Sequence, residues 1–505
     1  MKMTSAVNLV VILCCLVMGL ACHKSDTSIK DQQTLKVAIA MGPLNLDPRV
    51  ASDAEGTKIC KLLFDGLFAR DASSSLIPNL ALKYELEGDT VYKFYLRPGV
   101  KFHSGSSFTA QDVLYTYQSI INGKLISPYR ESFARIKKME ALDAYTVLIE
   151  LKEPYAPFLT LLTMGIVSHL NPSQPIGTGV YKLKHFEPDT VVELEANPDY
   201  FGHKPKLQHL NFQVIKDDNV RVLKLVKGEV DLVQNGIPAL LIPSLVKKYN
   251  LKMLSDDGIN MTYLGINLTD DILKHKKVRQ ALAYALNRDE IINHRFDGLA
   301  KKANSLLPPS NWAYDKNLGQ YEYDPRKARK LLDEAGFKRT AKDKPRFALS
   351  QKTSTLKERV DIAKMIAYQL SLVGINSNVQ SYEWGTFYRD VKTGNFQLYT
   401  LAWVGITEPD FFYDVCHSSQ FSPEGVNRDR YSNPEVDKLV AQARITLDQE
   451  KRKQLYIEVQ QILFEDLPFI PLWYEKNVVV YQPNLKGVSL RPDASYQTFV
   501  NISKK

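Results

Sequence analysis

The chain has 505 residues, 44% of them hydrophobic and 24% charged, too long for one ordinary core and in the globular range, so two or three domains are expected. Its formal charge of +9 is mild for this length, and no Lys/Arg tract interleaved with aromatics is present, which excludes nucleic acid as an expected partner. There is no GxSxG elbow, no HExxH helix and no GxxxxGK[ST] loop, and the nine histidines are scattered, so nothing supports an enzyme.

In chain order, residues 1–22 read as an export signal. Lys2 supplies its charge, and Val7 to Leu20 is apolar but short of the roughly 20 residues a spanning helix needs. Cys22 follows Gly19-Leu20-Ala21, which resembles a lipoprotein cleavage box with Cys22 as the lipidated N-terminus, although Gly19 stands where the box usually carries Leu. The polar run 23–33 then reads as a flexible tether. Beyond it only Cys60 and Cys416 remain. Export allows them a disulfide, buried free thiols are the alternative, and no Cys/His array provides a metal site.

Leu35 to Ala40 is a first strand, ending in the loop Met41-Gly42-Pro43-Leu44-Asn45, where glycine lets a ligand approach the backbone. Glu55 to Phe68 is helical by period. Tyr92, Phe94 and Leu96 alternate as in a half-buried strand. Pro98-Gly99 turns the chain, and Thr109 N-caps a helix with Asp112 in the capping-box position and Phe108 and Val113 as the staple. Leu142 to Leu151 is a strand. Pro175-Ile176-Gly177-Thr178-Gly179 re-enters another and lacks the third glycine of a dinucleotide fingerprint. Leu207 to Ile215, Asp217 to Leu225 and Gly228 to Asp231 set a strand–helix–strand rhythm, hence an α/β class. Lys276 to Asn287 is amphipathic, and Gly336 C-caps a later helix. Lys357 to Val373 is a long helix. Trp384 opens another, and Phe396 to Trp403 is a strand leading to Val404-Gly405-Ile406-Thr407-Glu408-Pro409-Asp410. Pro471 to Tyr474 and Val478 to Tyr481 are closing strands.

Several strings are more specific than these elements. Tyr92 to Val113, Pro175 to Tyr181, Ala196 to Gly202, Gly228 to Asp231, Val278 to Ile291 and Leu331 to Phe337 together resemble the family 5 extracellular solute-binding proteins, the oligopeptide-, dipeptide- and nickel-binding receptors of ABC importers. The resemblance spans about 34–500. It implies an α/β, two-lobed periplasmic-binding-protein fold (class II, with an extra domain) and a ligand cleft between the lobes. Lobe I would comprise 34–54, 173–266 and 479–503, the extra domain 55–172, and lobe II 267–478. The expected partners are a peptide or other small solute, the permease subunits of an ABC importer, and the membrane through Cys22. A monomer without a cofactor is expected.

The resemblance also implies that Met41, Gly42, Leu44 and Asn45 line the cavity. The segment after Trp403 offers a stacking face, an open backbone at Gly405 and the acids Glu408 and Asp410, with Trp384 as a second aromatic. In peptide-binding members an aspartate soon after this tryptophan holds the ligand ammonium. Here Ile406 stands in its place, and the loop is one residue shorter. The arginine that holds a dipeptide carboxylate matches a position near Thr353, beside Lys352. Both dipeptide clamps are thus weakened, and Glu408 or Asp410 is the remaining candidate for the ammonium. A nickel chelate, haem-like group, opine or cell-wall peptide would suit the same fold. A peptide-sensing or chaperone-like module and a secreted hydrolase are readings of other classes.

Overall fold

The computed structural model describes residues 31–505 apart from 73, 124 and 342. The expected signal, Cys22 and residues 23–30 of the expected tether lie outside the described residues. The tether's last residues are tied down, since Lys36 pairs with Asp31 at 2.5 Å and the His209 N–H donates to the Gln33 carbonyl at 3.1 Å.

The first lobe opens with β1 (Thr34–Ile39) and a helix, Ala54–Leu63. An inserted domain follows, with a small hairpin of β2 (Phe68–Arg70) and β3 (Leu76–Pro78). Its sheet contains β4 (Ala81–Glu87), β5 (Val91–Leu96), β6 (Ile136–Asp143) and β7 (Thr146–Leu151), in the order β4-β5-β7-β6. The chain returns to the first lobe through β8 (Tyr181–Glu187), β9 (Val191–Ala196), β10 (His209–Val214) and β11 (Leu232–Gln234). It crosses to the second lobe along β12 (Lys252–Ile266), which precedes β13 (Ala300–Lys302), β14 (Phe347–Ser354), β15 (Ile375–Tyr382) and β16 (Leu398–Trp403). It crosses back along β17 (Phe469–Tyr481). Among the described residues these strands form one sheet through both lobes, ordered β15-β14-β16-β12-β17-β11-β1-β10-β9-β8, with β13 on β17.

The two crossing strands form the hinge. β12 and β17 pair antiparallel from Lys252/Tyr481 to Asp257/Lys476, break, and resume at Met261/Tyr474. Gly258 sits in the break. A Cβ there would lie 2.3 Å from the Glu475 carbonyl oxygen, so any side chain would push the strands apart. Beside it the buried Asn477 accepts from Asn235 Nδ2 at 2.9 Å, while the Val478 N–H donates to Asn235 Oδ1 at 2.7 Å. β1 runs parallel to β10 and β11, and β14 parallel to β15 and β16. Trp403 pairs with Met261 and Gln234 with Val479, so the carboxyl ends of these parallel strands point at the hinge from both lobes.

Alternation along β12 gives the second lobe a core on each face. Leu264 and Ile266 join Leu349, Ile362 and Trp473 on one side, and Met261 and Tyr263 join Tyr399, Phe412 and Tyr456 on the other. Each such side chain contributes about 1.5–3 kcal/mol on burial. In the first lobe, Val37, Leu210 and Phe212 pack with Ile59, Cys60, Leu62 and Leu63. The helix expected in the extra domain from residue 55 therefore packs into the first lobe's core. The inserted domain's own core includes Leu67, Phe94, Tyr117 and Phe158. Cys60 and Cys416 are free, buried and in different cores.

The signature segment folds as its residues dictate. Tyr92, Phe94 and Leu96 are buried, and Gly99 turns the chain at φ +76°. The Thr109 N–H donates to Asp112 Oδ2 at 2.8 Å. His103 reaches the first lobe, where its N–H donates to the Gly177 carbonyl and its Nε2 lies 2.9 Å from the Gly179 carbonyl. Those glycines lie across the end of helix Ala54–Leu63, and Cβ atoms would come within 2.0 Å of Leu63 O and 2.3 Å of Leu62 O. Two expected elements differ. The strand expected over 142–151 is a hairpin, turned where Asp143 Oδ1 accepts the Tyr145 N–H. The two closing strands are one, because a register shift at Thr262/Tyr263 accommodates Pro471.

Candidate functional site

Exposed apolar side chains gather at the carboxyl ends of the parallel strands. Met41 and Leu44 follow β1, Leu356 follows β14, Trp384 follows β15 and Val404 follows β16, and each is more than half exposed. Scattered apolar side chains on a surface need no explanation, but a set on facing strand ends marks a ligand-binding crevice in an open α/β sheet.

On the first-lobe side, the loop after β1 is held by short bonds. The Leu44 N–H donates to Asp53 Oδ2 at 3.2 Å, and Asn45 Oδ1 accepts from the Asp47 N–H at 2.6 Å. Gly42 is closely packed, since a Cβ would meet Asp189 N and Val214 at 3.1 Å. Leu44 and Asn45 also border a cavity of about 600 Å³ with His103, Gln174 and Lys182, between the first lobe and the inserted domain. Burial there lowers the His103 imidazole to about 4.

On the second-lobe side, Trp403 stacks on Tyr263 with ring centroids 5.6 Å apart and planes 4° apart. Trp384 opens helix Trp384–Thr393 and stacks on Tyr388 at 5.4 Å. Gly405 takes φ +71°, and its N–H donates to Asn260 Oδ1 at 3.0 Å, which ties the segment to the hinge. Three sequence candidates are placed differently from the expectation. Ile406 is buried with Met261 and Phe412 rather than turned to a ligand. Glu408 Oε1 receives Arg452 at 2.7 Å, and Glu408 Oε2 receives the Thr160 hydroxyl of the inserted domain at 3.1 Å. Asp410 is held by three bonds from Arg444, at 3.0, 3.1 and 2.8 Å, and Arg444 also reaches Asp414 at 3.2 Å. Burial first, then the Asp410 charge, pushes Asp414 up to about 6. The acids of this segment are thus already paired with arginines. Lys352 is likewise bonded to Asp390 at 2.8 Å, and Thr353 is fully buried.

Sequence reasoning missed Tyr263, Tyr388 and Arg428. Arg428 lies over Trp403 with its Cζ 4.0 Å from the ring, donates to Tyr263 Oη at 3.0 Å and to Tyr388 Oη at 3.3 Å, and is 8% exposed. The adjacent Arg428-Asp429 doublet was the available signal. Asp429 is buried, accepts the Ile266 N–H at 3.0 Å, and is raised to about 7 by burial. Among the described residues no cluster of three His, Cys, Asp or Glu side chains could hold a metal ion, and no helix is long and apolar enough to cross a membrane.

Residues 75–423 match the family model described as bacterial extracellular solute-binding proteins, family 5 Middle. The chain is 31% identical over 471 residues to the oligopeptide-binding protein AppA of Bacillus subtilis, covering 88% of this chain and 86% of that relative. It is 29% identical to the dipeptide-binding protein of Escherichia coli, covering 85% and 86%. The solved structure of AppA with a nonapeptide superposes with a TM-score of 0.80 over 94% of this chain and 99% of AppA, at 29% identity. NikZ from Campylobacter jejuni, in complex with Ni(L-His), gives 0.81 over 94% of this chain and 100% of NikZ, also at 29%.

Proposed function

Since the chain belongs to the bacterial extracellular solute-binding proteins of family 5, we propose that it captures a peptide, longer than a dipeptide, between its two lobes and delivers it to the permease of an ABC importer. Capture is by closure about β12 and β17. Lipidation at Cys22 would keep the receptor at the membrane. Met41, Gly42, Leu44 and Asn45 form one wall, and Trp384, Trp403 and Gly405 the other. No covalent step is involved.

The observation that carries this reading is the set of exposed apolar side chains on facing strand ends, joined by two strands with a break at Gly258. An aromatic and backbone-lined cleft holds an extended peptide with little dependence on its sequence. The preference against dipeptides rests on Ile406, Glu408 and Asp410. With Ile406 in the core and both acids bound to arginines, this segment has no free carboxylate to fix an ammonium at a set distance.

The test is native mass spectrometry of the purified protein before and after mild denaturation. A ladder of adducts that sequence as peptides is the expected result. A single non-peptide mass would overturn the substrate while leaving solute capture intact. Micromolar or tighter calorimetric binding of several unrelated dipeptides would overturn the length preference.

A further inference from the structure

Arg428 is unlike the other charged groups near Trp403. Arg452, Arg444 and Lys352 each face a carboxylate, on Glu408, Asp410 and Asp390 respectively. Arg428 is as buried as they are, yet its hydrogen bonds go to two neutral phenols, Tyr263 and Tyr388. The neighbouring Asp429 attracts Arg428 through space but gives its hydrogen bonds to the Ile266 N–H and the Tyr399 hydroxyl. A guanidinium has five N–H donors in a fixed plane, and two are occupied here. A buried cation whose direct hydrogen-bond partners are neutral gains from an anion that accepts its free donors.

It sits just behind the aromatic side chains at the second-lobe strand ends. Arg428 lies against Trp403 at the carboxyl end of β16 and against Tyr388, which backs the exposed Trp384 beyond β15. Trp403 is fixed by its stack on Tyr263, so the ring that faces Arg428 is itself held. A planar donor set braced by aromatic faces suits a carboxylate, which accepts two parallel bonds from a guanidinium.

We propose that Arg428 is the anion anchor of the cleft, taking a carboxylate of the bound peptide with its unoccupied N–H donors. This rests on the peptide reading above and specifies its polarity. The ligand is oriented by an acid, either its C-terminal carboxylate or an acidic side chain, rather than by its ammonium.

The experiment uses three peptide pools offered in competition and read by native mass spectrometry. One contains random hexapeptides without Asp or Glu and with free C-termini. The second contains the same peptides as C-terminal amides. The third contains the amides with one Asp added. The protein is expected to retain the acid-bearing peptides on the order of tenfold or more over the plain amides, the scale of a charge-assisted hydrogen bond. Preference for the first pool assigns the terminus, and preference for the third assigns a side chain. In Arg428→Gln the preference disappears while residual binding of the amides persists. Arg428→Lys, which keeps the charge and loses the planar fork, restores it in part and serves if the glutamine variant fails to fold. Equal retention of all three pools, or a preference unchanged in both variants, overturns the proposal. Should no pool bind, the peptide reading fails and the co-purified ligand decides the arginine's role. A released ligand that gains mass on methyl esterification supports the anion anchor, and one without an acidic group overturns it.

Discussion

The Thr160 hydroxyl donates to Glu408 Oε2 at 3.1 Å and so joins the inserted domain to the second lobe. A second bond lies nearby, from the Ala156 N–H to the Arg444 carbonyl at 2.8 Å. These contacts bridge the inserted domain and the second lobe away from β12 and β17. Thr160→Val is expected to weaken the closed arrangement by about 1 kcal/mol, the net worth of one such bond. Small-angle scattering of the ligand-free protein should then show a larger radius of gyration, with an unchanged melting temperature. An identical scattering curve would mean that the contact has no part in closure.

Arg444 holds Asp410 by three bonds, largely away from water, and the more exposed Asp414 by one. Replacing it by alanine leaves the buried Asp410 carboxylate without a counter-charge. Arg444→Ala is expected to cost about 3–5 kcal/mol in urea unfolding at neutral pH. Adding Asp410→Asn should recover part of that loss, since the orphaned charge is removed with it. No recovery would place the damage in lost packing over Tyr413, whose ring the guanidinium covers at 3.4 Å.

His103 makes stability depend on pH. Burial lowers its folded value to about 4 from an ordinary 6.5. Its contribution is therefore fully present above pH 6.5 and is lost as the pH falls toward 4, because the unfolded chain binds the proton first. The full effect is roughly 3 kcal/mol. Asp429, raised to about 7, has the opposite sign. Its contribution is present at low pH and is lost as pH rises through 7. The test is therefore a difference between proteins. His103→Gln should gain on the parent protein in melting temperature between pH 7.5 and pH 4.5. A constant difference would show that His103 stays neutral, or is protonated, in both folded and unfolded chains.

Local chemistry was legible in the sequence, and distant pairing was not. Alternation at Tyr92, Phe94 and Leu96 marked the buried face, and Thr109 with Asp112 marked the start of a helix. Both depend on neighbours within a few residues. The family motifs carried the fold, and the strings around Gly177 and Gly179 prove to be the places where backbones touch. The fates of Glu408 and Asp410 were hidden because their arginines come 44 and 34 residues later, on other helices. Counting from Trp403 put Ile406 beside the ligand, whereas the turn at Gly405 delivers it to the core. Arg428 and Tyr263 are 165 residues apart, and no periodicity links them.

The strands that join the lobes also set the order in which the molecule can be assembled. β1 lies between β10 and β11, and β11 is flanked on its other side by Val479 to Tyr481 of β17. The first lobe, begun at Thr34, thus lacks a central strand until the chain has been made past Tyr481, and the second lobe lacks the same strand's earlier half. Neither lobe is a finished unit when its own residues have emerged. Folding is nested rather than sequential, dominated by contacts of long sequence separation, and correspondingly slow. A chain ending before Phe469 would leave both lobes with an open edge of β12 where β17 should be, a shape suited to holdase capture or aggregation rather than to half a receptor.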